Sequence, residues 1–188
     1  MGCGDHRGMK RFLALVRNRG YSPADSRRLI EAFRARGFRV VDVRVATNHV
    51  EVDMLHERAP ELSGEEVIEI LEITEKPVSA PPETVEKAVA LFNSERFWEA
   101  HETLEPLWRQ SKPPEKDVLH GLILTAAAFV HLQKNDVKGF RSILRRALKA
   151  LSNAPKSYQG VSIDTLRREI ENVMENPRPF RIFLSDDG

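Results

Sequence analysis

Lys76-Pro77-Val78-Ser79-Ala80-Pro81-Pro82 divides this chain into two regions of different pattern. Prolines spaced this densely exclude a helix interior or a central strand, so residues 77–82 read as a linker. Ahead of it lies a small α+β unit, residues 1–76. Behind it, residues 83–176 form an all-helical bundle of about five helices, followed by a tail, residues 177–188. The fold class is therefore α+β overall.

In the first region Ser22-Pro23-Ala24-Asp25 starts a helix, with Ser at the N-cap and Pro in the first turn. Leu29, Ile30 and Phe33 supply its apolar stripe, and Gly37 its stop. Phe38 to Ala46 alternates, with Val41, Val43 and Val45 on one side and Asp42 and Arg44 on the other. Val50, Val52 and Met54 alternate with Glu51 and Asp53 after a short polar connection, which makes a β-hairpin. Val67, Ile70 and Leu71 suggest a helix from Gly64 to Ile73. With a further helix ahead of Ser22, the unit reads helix, helix, hairpin, helix. A two-stranded sheet is marginal alone, so it must pack on its helices, on the other domain or on a second chain, which leaves a homodimer open.

Everything between the linker and Pro177 is patterned for helix. Val85, Ala88, Val89 and Phe92 stripe a first helix that stops at Asn93-Ser94; the second carries Phe97 to Trp108. The third runs from Glu115 to Gln133, the fourth from Asp136 to Leu151, and Ser162 caps a last one that ends at Asn176-Pro177. Short connections imply antiparallel neighbours. Helix-Asn93-helix is echoed by helix-Asn135-helix, the look of a helical-hairpin array. In the tail, Pro179 to Leu184 is a candidate strand.

With 188 residues, a net charge of +1 and 30% charged residues, the composition is that of an ordinary globular protein. No apolar run approaches the ~20 residues of a membrane span. The lone Cys3 excludes an intrachain disulfide and suits a reducing cytoplasm. The start Met1-Gly2-Cys3-Gly4-Asp5-His6 lacks the Ser or Thr of an acylation signal, and nothing resembles a signal peptide. Arg27, Arg28, Arg34, Arg36 and Arg39 concentrate positive charge, but a solvated surface helix explains them more simply than nucleic acid does.

The segment Phe97-Trp98-Glu99-Ala100-His101-Glu102-Thr103-Leu104-Glu105-Pro106-Leu107-Trp108 concentrates chemistry. Residues four apart share a helix face, so His101 lies below Glu105, with Trp98 and Trp108 at the ends of the same stripe. Aromatic walls lower the local dielectric and shift both ionisations. On the third helix His120, Leu124, Ala127 and His131 share a stripe; the two histidines are roughly 16 Å apart at the usual rise, so both cannot meet one ion with His101. His131 is the expected companion. Pro106 removes one backbone bond and predicts a kink or a fresh helix start. Three readings stay open: a divalent metal on His101, Glu105 and His131 or Glu102; a metal-free acid–base or ligand-binding pair; and a buried polar pair that only orients helices.

Phe92-Asn93, Phe97 to Glu102, Leu104-Glu105 and Trp108 are similar to an archaeal and bacterial domain-of-unknown-function family, number 309 in its series. Its pattern of His, three residues, Glu, two residues, Trp or Tyr is met by His101, Glu105 and Trp108. Leu119 to Ile123, Ala126 to Ala128 and His131-Leu132 resemble its second block; Gly139 and Arg145 to Leu148 resemble its third. The resemblance spans about Pro82 to Leu166 and implies an all-helical fold with a metal-binding motif. His120 stands where the family has Gln, Pro106 interrupts the motif, and Asn135-Asp136 replaces Gly-Asn. The functions to be weighed are thus a metal or small-molecule site, a non-catalytic helical-hairpin module for a protein partner, and nucleic-acid binding through the Arg-rich segment.

Overall fold

The computed structural model describes residues 8–74 and 79–185. The acylation reading at the N-terminus and residues 77–78 of the linker therefore lie outside the described residues, and Pro81 and Pro82 open a helix. The chain divides into two compact units, Met1–Glu75 with Gln133–Asn135, and Lys76–Leu132 with Asp136–Gly188.

The first unit is built on β1 (Lys10–Arg17), α1 (Ser26–Ala35), β2 (Arg39–Val45), β3 (His49–His56) and β4 (Val67–Glu72). These strands form one antiparallel sheet in the order β2-β3-β1-β4. The hairpin and the helix after Ser22 stand as expected, and Gly37 ends α1 with φ +91°, a conformation open to glycine. Both other helices of this unit are corrected to strands. Phe12 to Val16 is buried on both faces, so the run carries no alternation to betray a strand. In β4 the partners of Leu15 and Val16 are Glu69 and Val67, so Ile68 is an inserted bulge residue. That insertion spaces Val67, Ile70 and Leu71 by three and one, which mimics a helical stripe.

The same device corrects β2. Val40 pairs with Met54 and Asp42 with Asp53, so Val41 is skipped and points outward, 47% exposed, while Val40 enters the core. That core joins Phe12, Ala14 and Val16 to Val43, Val50, Val52 and Met54 beneath Leu29 and Phe33 of α1.

The second unit contains α2 (Pro81–Asn93), α3 (Phe97–Gln110), α4 (Glu115–Leu132), α5 (Val137–Ala150), the two-residue strands β5 (Ser157–Tyr158) and β6 (Val161–Ser162), and α6 (Ile163–Glu175). Five helices were expected here and five are present among the described residues. Phe129 of α4 is fully buried and meets the rings of Phe92, Phe97, Phe140 and Phe180 with centroids 4.8–5.5 Å apart. The internal echo is real in backbone terms, but its matched residues are Glu95 and Asn135, each left-handed (φ 59° and 62°) at a helix–helix turn. Asn93 is thereby freed for a different task.

Candidate functional site

α3 is one continuous helix through Pro106, so no new helix starts there. Its buried face is Phe97, Glu99, Ala100, Leu104 and Leu107; Trp98, His101, Glu105 and Trp108 flank that face, half-buried, and Glu102 is exposed. The buried carboxylate is therefore Glu99, gripped by Arg96 through two bonds, Nε to Oε1 at 2.6 Å and Nη2 to Oε2 at 2.9 Å.

His101 and Glu105 pair along their own helix, while Thr103 Oγ1 and Trp108 Nε1 are buried without a hydrogen-bond partner. His101 Nδ1 lies 3.3 Å from Glu102 Oε1, and Arg109 Nη2 lies 3.0 Å from Glu105 Oε1. His131 Nδ1 lies 2.7 Å from Asp136 Oδ2 at the start of α5, where Asp136 also accepts the Gly139 N–H at 2.8 Å. The ring contacts Phe97–Phe129 and Trp108–His120 set an antiparallel register between α3 and α4. It brings His101 level with residues 125–127 and leaves His131 more than one turn away. Among the described residues no group of three His, Cys, Asp or Glu side chains is placed to hold a metal ion. The histidine that does meet the motif is His120, whose ring lies 5.5 Å from that of Trp108. Burial, reinforced by Arg146, pushes its ionisation below the ordinary histidine value. Lys116 Nζ stands 5.1 Å from the Trp108 ring centre.

Two arrangements escaped the sequence reading. The first begins at Asn93, at the end of α2. Its Nδ2 donates to the carbonyl of Ile182 at 2.7 Å, and its Oδ1 accepts the Ile182 N–H at 2.8 Å. Ile182, 8% exposed, packs in the helical core and forms one wall of a small apolar socket, with Val85, Val89, Ala100, Leu104, Leu122 and Ala126. Phe180 packs on Phe92 at 5.3 Å and on Phe129 at 5.5 Å. Further on, Leu184 makes an isolated antiparallel bridge to Val161, and Ser185 N–H donates to the Gly160 carbonyl at 2.9 Å. The candidate strand of the tail is thus an extended segment lying over α2, α3 and α4, with one bridge residue. Asn93 was in view as a helix stop, but nothing local tells that its amide serves a residue 89 positions away.

The second is a charge row on the sheet face opposite α1. Arg11 of β1 holds Asp53 by two bonds (2.8 and 2.6 Å); Arg44 of β2 donates to Glu51 at 2.5 Å, and its Nη1 is 3.6 Å from Asp53. His49 Nε2 lies 3.6 Å from the other Glu51 oxygen. Arg44, Glu51 and Asp53 are at most 1% exposed. Burial alone would raise the Glu51 ionisation, but Arg44 beside it, with His49, holds it below the ordinary carboxylate value. A depressed carboxylate contributes stability at neutral pH that is lost on acidification. The melting temperature is expected to hold from pH 7 to about 5 and to fall below the ordinary value of 4.5, with a shallower fall in Glu51→Gln. A pH series of thermal melts on both proteins checks this.

Residues 85–143 match the family described as Domain of unknown function (DUF309). An uncharacterized protein of Aquifex aeolicus (strain VF5) is 28% identical over 98 residues, which cover 52% of this chain and 29% of that relative. The crystal structure of a conserved hypothetical protein from Thermus thermophilus is 31% identical, covers 48% of this chain and 94% of that chain, and aligns with a TM-score of 0.44. This chain thus spans under a third of the length of the Aquifex relative. No helix among the described residues is long and apolar enough to cross a membrane.

Proposed function

We propose, for a chain that belongs through residues 85–143 to the Domain of unknown function (DUF309) family, that the helical unit is a non-catalytic interaction module whose groove over α2, α3 and α4 holds an extended peptide strand. The carrying observation is the pair of bonds between Asn93 and the backbone of Ile182. A side-chain amide presents one donor and one acceptor on the same edge, the complement of one residue's C=O and N–H. It therefore reads an extended backbone as a neighbouring strand would. His101, Glu102 and Glu105 form local pairs along α3, which supports a scaffold role for these three. The divalent-metal reading finds no converging ligands among the described residues to support it.

The test uses the full chain carrying Ile182→Ser, which weakens the resident segment, and a fluorescent peptide of residues 177–185. A tethered segment competes at a local concentration on the order of millimolar. Anisotropy should therefore report at least about tenfold tighter peptide binding to the variant than to the unaltered chain. Asn93→Ala in the variant should reduce it by about tenfold, the worth of two lost hydrogen bonds. No binding, or binding indifferent to Asn93, sinks the proposal.

A further inference from the structure

Resting on that reading, we infer that the groove selects strands of the pattern aromatic, any residue, branched aliphatic, with no proline at the third position, and that Phe180-Arg181-Ile182 is the resident copy of this ligand class. Alternate residues of an extended strand face opposite sides. Phe180 and Ile182 accordingly face the helices, one against the rings of Phe92 and Phe129, the other as a wall of the apolar socket, with its backbone held by Asn93. Arg181 and Phe183 point away, Phe183 75% exposed.

Each position carries a separate requirement. The slot at 180 is walled by two phenylalanine rings, Phe92 and Phe129, both in tilted or edge contact with the incoming ring, an arrangement that an aliphatic side chain only partly recovers. The socket at 182 has an entirely apolar lining, so a charged side chain would enter it without a partner. Proline is excluded at 182 for a different reason. Asn93 Oδ1 accepts that residue's N–H, and proline has none. Beyond 182 the wall recedes: a cavity of about 250 Å³ lies between residues 180–185 and the start of α6, bordered by Thr165, Leu166 and Glu169. Phe183 itself stands 75% exposed, so position 183 carries no selection. The bond from Ser185 N–H to the Gly160 carbonyl again reads backbone alone.

The experiment repeats the anisotropy measurement on the Ile182→Ser chain, now with altered peptides of residues 177–185. Phe180→Ala, Ile182→Asp and Ile182→Pro peptides should each bind at least about tenfold more weakly than the parent. Arg181→Glu and Phe183→Ser peptides should stay within about threefold of it. If the parent binds and all five altered peptides bind alike, or if 181 and 183 matter as much as 180 and 182, the selection rule is overturned while the strand-holding groove survives. If the parent peptide itself does not bind, the strand-holding reading fails and the rule falls with it. A chain carrying Phe180→Ala replaces the Ile182→Ser chain should the latter not fold by circular dichroism.

Discussion

Arg44→Met is expected to destabilise the sheet unit by about 3–5 kcal/mol, the cost of leaving a buried charge without its partner. The arginine touches two carboxylates that water does not reach: Glu51, bonded at 2.5 Å, and Asp53, at 3.6 Å. Asp53 would retain Arg11, but Glu51 would keep only His49, 3.6 Å away. Urea unfolding followed by circular dichroism, with amide exchange read in β2 and β3, measures the loss. Adding Glu51→Leu to Arg44→Met should restore more than half of it, because an apolar pair has no charge to strand. A loss below about 1 kcal/mol in the single variant would mean the row is not held together by its guanidinium.

Gly139→Val is expected to lower stability by about 2–3 kcal/mol through the first turn of α5. A Cβ at this position would stand 2.3 Å from Asp136 Oδ2 and 2.5 Å from His131 Nδ1. Both atoms are side-chain ends, yet neither is free to yield. Asp136 caps the helix through the Gly139 N–H and holds His131 at 2.7 Å, so relief requires breaking both bonds. A thermal melt reads the effect, and Asp136→Ala should account for about 1 kcal/mol of it as the cap alone. Equal melting temperatures for Gly139→Val and the unaltered chain would show that the turn repacks without strain.

The helical unit was legible because its elements are long and amphipathic. Ser162 was read as the cap of the last helix and does accept the Thr165 N–H; the limits of α4 and α5 fall within one residue of those expected. The sheet unit was half legible. Alternation revealed β2 and β3, but β1 is buried on both faces and β4 is shifted by its bulge, and each defeats a reading by period. The candidate site was legible as residues and not as partners. Spacing placed His101 and Glu105 on one stripe, but each turned to a nearer group, Glu102 and Arg109. Asn93 shows the reverse. Its partner lies far along the chain, and no local pattern encodes a side-chain-to-backbone bond over that separation.

The bulges at Val41 and Ile68 occupy the two outermost strands, β2 and β4. A strand arriving at either border would find at most four residues in step before the bulge, although both bulge positions are apolar and exposed. The sheet is thus self-limiting: it offers greasy margins but no continuous template. Growth of ordered fibrils by edge-to-edge addition is blocked there by geometry, with no need for a fence of charge.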